Sequence, residues 1–354
     1  MHRGPIAEID LRAIASNLRN IKSFVGNLPI MAVVKADAYG HGAVKVSKTL
    51  LKEGVEDLVV AYCSEAVELR ESGIGSRIVV LFDGGISPDI VFKYNLTPVV
   101  HNLKSAKILS KEAKKRNKTL DIHIKADTGM GRMGFSDIKD ILYASELPNL
   151  KVSGLMSHFS ESDISDSEYT KEQLSKFLEI RRNLIKRGIR PICHIANSSA
   201  IVNFKDTLLD AVRPGLMLYG WDSPPFKHAL RVYAPIIALR RLKRGSPVSY
   251  GRTFITTRNT LAAVLGIGYA DGYPRALSNN SYVILNGRHA PVIGRVCMDL
   301  IVADVTEIEG LREGDMATLL GPEITAWEVS KWAGTIPYEI MTSLGNRARR
   351  LYKE

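Results

Sequence analysis

The chain has 354 residues, 45% apolar and 24% charged, with 48 Lys and Arg against 37 Asp and Glu for a formal charge of +11; this length fits two domains, or a barrel with an extension, rather than one small domain. No run reaches the 18 or so uncharged apolar residues of a membrane-crossing helix and MHRGPIAEIDL lacks the apolar core of a secretion signal, so no membrane partner is expected and the expected location is cytoplasmic. Cys63, Cys193 and Cys297 are widely spaced without metal-ligand spacing, and the basic residues lie on helix-like stretches such as KEAKKRNK (111–118), so neither a disulfide framework, nor a metal site, nor a nucleic-acid partner is expected.

The first residues, GPIAEIDL, read as a short strand ahead of a helix near LRAIASNL. Strand-length apolar runs then recur near residues 30, 58, 77, 97, 119, 150, 191 and 209. Between most of them lie segments with apolar residues at three- and four-residue spacing, such as AVKVSKTLLKEG and SEAVELRESG. Such alternation implies βαβ units, and eight of them within about 220 residues predict an α/β fold of the closed (β/α)8 TIM type over residues 8–226. No GxGxxG follows the first strand, as an open dinucleotide-binding sheet would require. From 227 to 354 the texture is short β-type runs broken by turn residues, with Asn286-Gly287 as a hairpin signal and a late helix near 323–334. A mainly β C-terminal domain is expected there, taking in the N-terminal strand, residues 1–7.

In such a barrel, chemistry collects where strands end. Polar residues do follow the apolar runs: Lys35 and Tyr39 after the first, Asp127 and Arg132 after the fifth, His158 and Asp163 after the sixth, Asn197 and Ser198 after the seventh, Arg213 and Gly215 after the eighth. Lys35 is the most telling. An ε-amine whose charge is disfavoured by burial or neighbouring cations can attack a carbonyl and form a Schiff base.

The run AVVKADAYGHG around Lys35 closely resembles the pyridoxal phosphate attachment segment of the alanine racemase family. KADTGMGRMG (125–134), HIANSSA (194–200), VRPGLMLYG (212–220), VSYGRTF and VCMDL extend the resemblance over nearly the whole chain. The resemblance implies a pyridoxal 5'-phosphate-dependent racemase interconverting L- and D-alanine for peptidoglycan by a two-base mechanism. Lys35 would anchor the cofactor and serve one face of the substrate carbon; Tyr250 would serve the other, from the β domain of the partner in a homodimer. It further implies that Arg213 faces the pyridine nitrogen, that His158 links Arg213 to Tyr250, and that Tyr39, Ser198, Gly215, Leu216 and Tyr338 hold the phosphate. Arg132 would bond the cofactor's ring oxygen and contact substrate, Lys125 would be carbamylated to hold Arg132, and Met298 would lie near the substrate carboxylate. Asp163, Tyr269, Arg275 and Arg295 match an entry corridor. The alternative on the same cofactor is a broad-specificity racemase for serine or basic amino acids.

Overall fold

The computed structural model describes residues 4–82 and 87–354. The chain divides into two compact units: a barrel of residues 17–38 and 43–218, and a β unit of residues 4–16, 39–42 and 219–354.

In the barrel, seven parallel strands follow one another in order: β2 (Met31–Val33), β3 (Asp57–Val60), β4 (Arg77–Val80), β5 (Thr97–Val100), β6 (Leu120–Lys125), β7 (Leu150–Met156) and β8 (Ile192–His194). Most are rich in Val and Ile, whose branched side chains suit a pleated surface buried on both faces. β3 and β5 are buried at every position. The eighth expected strand is reduced to a bridge, Ile30 opposite Val212 in parallel. Met31 N–H donates to Val212 O at 2.9 Å and Val33 N–H to Pro214 O at 3.0 Å, while Arg213 N–H donates to Ala196 O at 2.9 Å, so the segment joins first strand to last and closes the ring. Pro214 interrupts any longer ladder, having no N–H to give.

Several helices between the strands start where a short polar side chain can cap free N–H groups. Asn102, Asp137, Ser167 and Asn197 each accept from a backbone N–H two or three residues on. These caps fix where each helix leaves its loop, and the loops at the strand ends carry the polar residues considered below.

The β unit is organised on one long strand, β9 (Leu230–Leu242), which pairs antiparallel with β1 (Ile6–Asp10), β12 (Thr260–Leu265) and β16 (Met316–Leu320). β1 also pairs in parallel with β17 (Arg349–Lys353). Residues 8–16 therefore group with the β unit, as do 219–226, where Tyr219 O accepts from Ala229 N–H at 2.9 Å; this differs from the 8–226 boundary expected for the barrel. The hairpin β13 (Tyr282–Leu285) to β14 (Arg288–Pro291) turns on Asn286 and Gly287, at φ 48° and 73°, the left-handed pair that an Asn-Gly turn supplies. The late helix spans Ala326–Ala333, opened by the Thr325 and Glu328 capping box and closed by Gly334 at φ 68°.

Candidate active site

Lys35 stands just beyond β2, and the chain after it does something its composition does not announce. Ala36, Asp37, Ala38 and Tyr39 all have φ between 52° and 55°, one turn of left-handed helix built without a glycine. Each residue held there is strained by about 1–2 kcal/mol relative to the right-handed form, so its surroundings must hold it. Ala36 N–H donates to Glu65 Oε1 at 2.6 Å, and the other carboxylate oxygen takes Ala61 N–H at 2.6 Å. Asp37 Oδ1 accepts from Ala43 N–H at 2.7 Å, and Ala38 N–H reaches Val34 O at 2.9 Å.

Around Lys35 the barrel gathers cations without giving them carboxylates. Lys35 and Lys125 lie over the Phe82 ring, 5.6 and 5.8 Å from its centroid. Neither lysine, nor Arg132, nor Arg213 has a bonded carboxylate among the described residues. Burial first, then Arg132, lowers the Lys35 pKa against an opposing pull from Glu65. Lys125 is pushed down to about 8 by burial, Arg132 and Arg213, with Asp127 opposing. Both amines thus release a proton more readily than a surface lysine, the state in which an amine is nucleophilic. Asp127 Oδ1 also accepts from Gly129 and Gly131 N–H at 3.0 and 3.1 Å, shaping the loop that carries Arg132.

Arg213 is buried, and its guanidinium is satisfied by neutral acceptors alone: His194 Nδ1 at 2.7 Å and the carbonyls of His194, Ser157 and Ile195. The expected direct link from Arg213 to His158 is not found among the described residues; the Arg213 side chain bonds instead to His194, at the end of β8. His158 feels Arg213 only through space. Burial, then Arg213 and the neighbouring cations, push its pKa down to about 3, so it is a neutral imidazole at neutral pH. On the next loops, Ser198 Oγ accepts from Gly215 and Met217 N–H at 3.0 and 3.3 Å, with Leu216 buried between them. Exposed Asp163 follows β7, its carbonyl 3.5 Å from Asn203 Nδ2.

Within the β unit, Tyr39 stacks on Tyr219 at 4.9 Å and lies 5.9 Å from Tyr338, centroid to centroid. Burial raises the Tyr39 pKa, which keeps its hydroxyl protonated. Gly40 is close packed there: a Cβ would fall 2.4 Å from Met341 O. Tyr250 sits in a tight turn with Ser249, Gly251 and Arg252 at φ 60°, 70° and 51°, and is 69% exposed. Arg295 braces this turn, its carbonyl accepting from Ser249 Oγ at 2.6 Å and its guanidinium lying where a Cβ on Gly251 would strike. Tyr269 and Ala270 N–H donate to Cys297 and Met298 O, each at 3.0 Å, and Arg347 spans Asp271 and Asp299 at 2.8 and 2.7 Å. These bonds set exposed Met298 and Tyr269 on one edge of the unit. Arg275 opens the turn Arg275–Leu277.

Glu65, Phe82, His194 and His123 were not among the residues expected at the site. Glu65 had a signal, a carboxylate five residues past the end of β3; Phe82 follows β4 where any barrel loop residue could.

Residues 9–223 match the family model for the alanine racemase N-terminal domain, and residues 229–352 that for the C-terminal domain. The chain belongs to the alanine racemase family. It is 48% identical to an alanine racemase of Thermodesulfovibrio yellowstonii over 98% of this chain and 97% of that one, and 43% identical to one of Halothermothrix orenii over 98% and 96%. Among solved structures it resembles alanine racemase from D-cycloserine-producing Streptomyces lavendulae with TM-score 0.94 at 32% identity, covering 100% of this chain and 98% of that one. Alanine racemase from Bartonella henselae, with covalently bound pyridoxal phosphate, gives TM-score 0.90 at 32% identity, over 99% of both chains. As an alanine racemase family member the chain is an isomerase, with the barrel and mainly β domain that its sequence predicts.

Proposed function

We propose that Lys35 and Tyr250 are the two proton-transfer groups of a pyridoxal phosphate-dependent alanine racemase, Tyr250 working on the barrel of a second copy of the chain. The observation that carries this reading is the cluster of Lys35, Lys125, Arg132 and Arg213 without a bonded carboxylate. Such a cluster is costly unless an anion answers it, and the phosphate and phenolate of pyridoxal phosphate are anions of that kind. Lys35 would hold the group; Ser198 and the backbone of Gly215 and Leu216, with Tyr39 and Tyr338, would take its phosphate.

Bound pyridoxal phosphate supplies an electron sink that lets an amino acid release its α-proton. Arg213 donates and does not readily give up its proton, so a ring nitrogen facing it stays unprotonated and the sink stays weak. That suits a reaction that only removes and returns one proton. Lys35, with its lowered pKa, takes or gives the proton on one face. Tyr250, exposed and with no hydrogen bond to its hydroxyl among the described residues, is free to serve the other face in a homodimer. His158, neutral and near four cations, would relay polarisation rather than charge.

Lys125 would take up carbon dioxide through its partly neutral amine, turning one cation of the cluster into an anion able to hold Arg132. Arg132 and Met298 would contact substrate; Asp163, Tyr269, Arg275 and Arg295 would line its entry. Alanine is the substrate, and turnover of serine or lysine would measure how tightly the pocket fits it. The direct test is borohydride reduction of the loaded enzyme followed by peptide mapping. The cofactor should be fixed to Lys35, and labelling elsewhere would overturn the assignment.

A further inference from the structure

Arg213, His194 and His123 form an unbranched chain through the barrel. Arg213 Nη1 lies 2.7 Å from His194 Nδ1, and His194 Nε2 lies 3.0 Å from His123 Nδ1. His123 Nε2 is buried with no partner among the described residues. The direction of every proton follows from the first link. A guanidinium only donates, so His194 Nδ1 must accept and its proton must sit on Nε2. His194 then donates to His123 Nδ1, and the His123 proton is left on Nε2, the atom without a partner. Adding a proton to His194 would set two N–H groups against each other, so the chain holds only while both rings are neutral.

The backbone is arranged for this contact. His123 is on β6 and His194 on β8, with β7 between them, and the residue of β7 paired with His123 is Gly154. A Cβ at Gly154 would fall 2.5 Å from His123 Cγ and Cδ2. The absent side chain is the space through which the His123 ring reaches across to His194, with the two ring centroids 5.0 Å apart. A carboxylate in place of His194 would hold Arg213 as firmly but would cancel its charge. Neutral imidazoles position the guanidinium and leave its charge intact.

We propose that His194, supported by His123 through the gap at Gly154, is a positioning residue that fixes Arg213 by a neutral two-imidazole relay. The role of Arg213 toward a bound ring nitrogen rests on the reading given under Proposed function; the relay itself does not. His194 sets the direction in which the remaining Arg213 N–H groups point, and so the contact between Arg213 and whatever occupies the site.

The test uses full-length protein with 15N-labelled histidine, free of cofactor and then loaded, observed by long-range 1H–15N correlation. With only 8 histidines in the chain, loss of single signals in His123→Gln and His194→Asn assigns the pair. Both rings should show the Nε2–H tautomer and remain neutral from pH 5.5 to 8.5, loaded or not. An Nδ1–H tautomer for His194, or protonation of either ring in that range, would overturn the relay whether or not the protein racemises alanine. On the loaded enzyme, His194→Leu should lower kcat about 10- to 100-fold, the worth of a hydrogen bond to a charged group, with KM changed less than kcat and the visible band of the bound cofactor shifted. His194→Asn, whose side-chain oxygen can stand near the Nδ1 position, should restore most of both. A His194→Leu enzyme with unchanged band and kcat, or an Asn variant as impaired as the Leu one, would show that His194 does not position Arg213.

Discussion

Lys35 and Lys125 lie over the same aromatic ring, Phe82, at 5.6 and 5.8 Å from its centroid. Lys35 lowers the affinity of Lys125 for a proton, although burial, Arg132 and Arg213 weigh more on Lys125, and burial and Arg132 lower that of Lys35. The site is thus built at the expense of the fold, and that has a measurable sign.

Lys125 is held at about 8 in the folded chain against an ordinary 10.5. Between those values the unfolded chain binds more protons than the folded one, so stability rises with pH through the interval. Below about 8 the penalty is fully present; above about 10.5 it has gone. Lys125→Met should therefore raise the Tm of the cofactor-free protein in carbon dioxide-free buffer at pH 7, and its advantage over the native chain should shrink from pH 8 to pH 10.5. A constant difference across that range would mean that Lys125 carries no such penalty. With carbon dioxide present, 13C-bicarbonate should give a carbamate signal that the Met variant lacks.

The left-handed turn from Ala36 to Tyr39 makes a different prediction. In a right-handed helix Ala to Gly is destabilising by about 1 kcal/mol. At Ala36, where φ is 52°, Gly relieves the steric strain, so Ala36→Gly should leave denaturant stability unchanged or raised. Ala36→Val should lower it by about 1–2 kcal/mol, since a branched side chain fits that backbone region poorly. Urea titration of the three proteins decides between these and the ordinary ranking.

If Tyr250 serves a second copy's barrel, two inactive chains should help each other. Mixing Lys35→Ala with Tyr250→Phe, after brief dissociation and reassembly, should regenerate activity, because one of the two sites in the hybrid holds both native residues. Each variant alone should lose at least about 10²-fold, the usual worth of a positioned acid or base. No recovery in a proven hybrid, or full native activity in a strictly monomeric preparation, would refute a shared site.

Much of the fold is legible in the sequence. The alternation of apolar runs gave the barrel because Val- and Ile-rich segments of strand length, separated by amphipathic ones, have few ways to bury both faces. The hairpin at Asn286-Gly287 followed from local turn chemistry. The eighth strand was harder, since Pro214 cuts its ladder to a bridge that apolar content alone does not reveal. The turn after Lys35 was not readable at all: Ala-Asp-Ala-Tyr favours the opposite hand, and bonds that include those to distant Glu65 and from Ala43 hold it. Lys35, Arg132 and Arg213 could be located from their motifs. His194 could not, because a histidine within an apolar strand reads as core, and its bond to Arg213 spans two strand ends. Gly154 was the available clue, a glycine in the middle of a β-strand, where close approach of another group is the usual reason.

The measurement that bears most directly on the two-base account is deuterium exchange by Tyr250→Phe. Because each group works on one face of the substrate carbon, the variant should still wash solvent deuterium into one enantiomer through Lys35, while exchange into the other falls by about 10²- to 10⁴-fold. Interconversion itself must slow equally in both directions, since the equilibrium cannot move. Following the α-proton of D-alanine and of L-alanine separately in deuterium oxide should show rapid exchange of the D form and slow exchange of the L form. Equal exchange into both enantiomers would mean that a single group, or water, serves both faces, and the assignment of Lys35 and Tyr250 as opposed bases would be wrong.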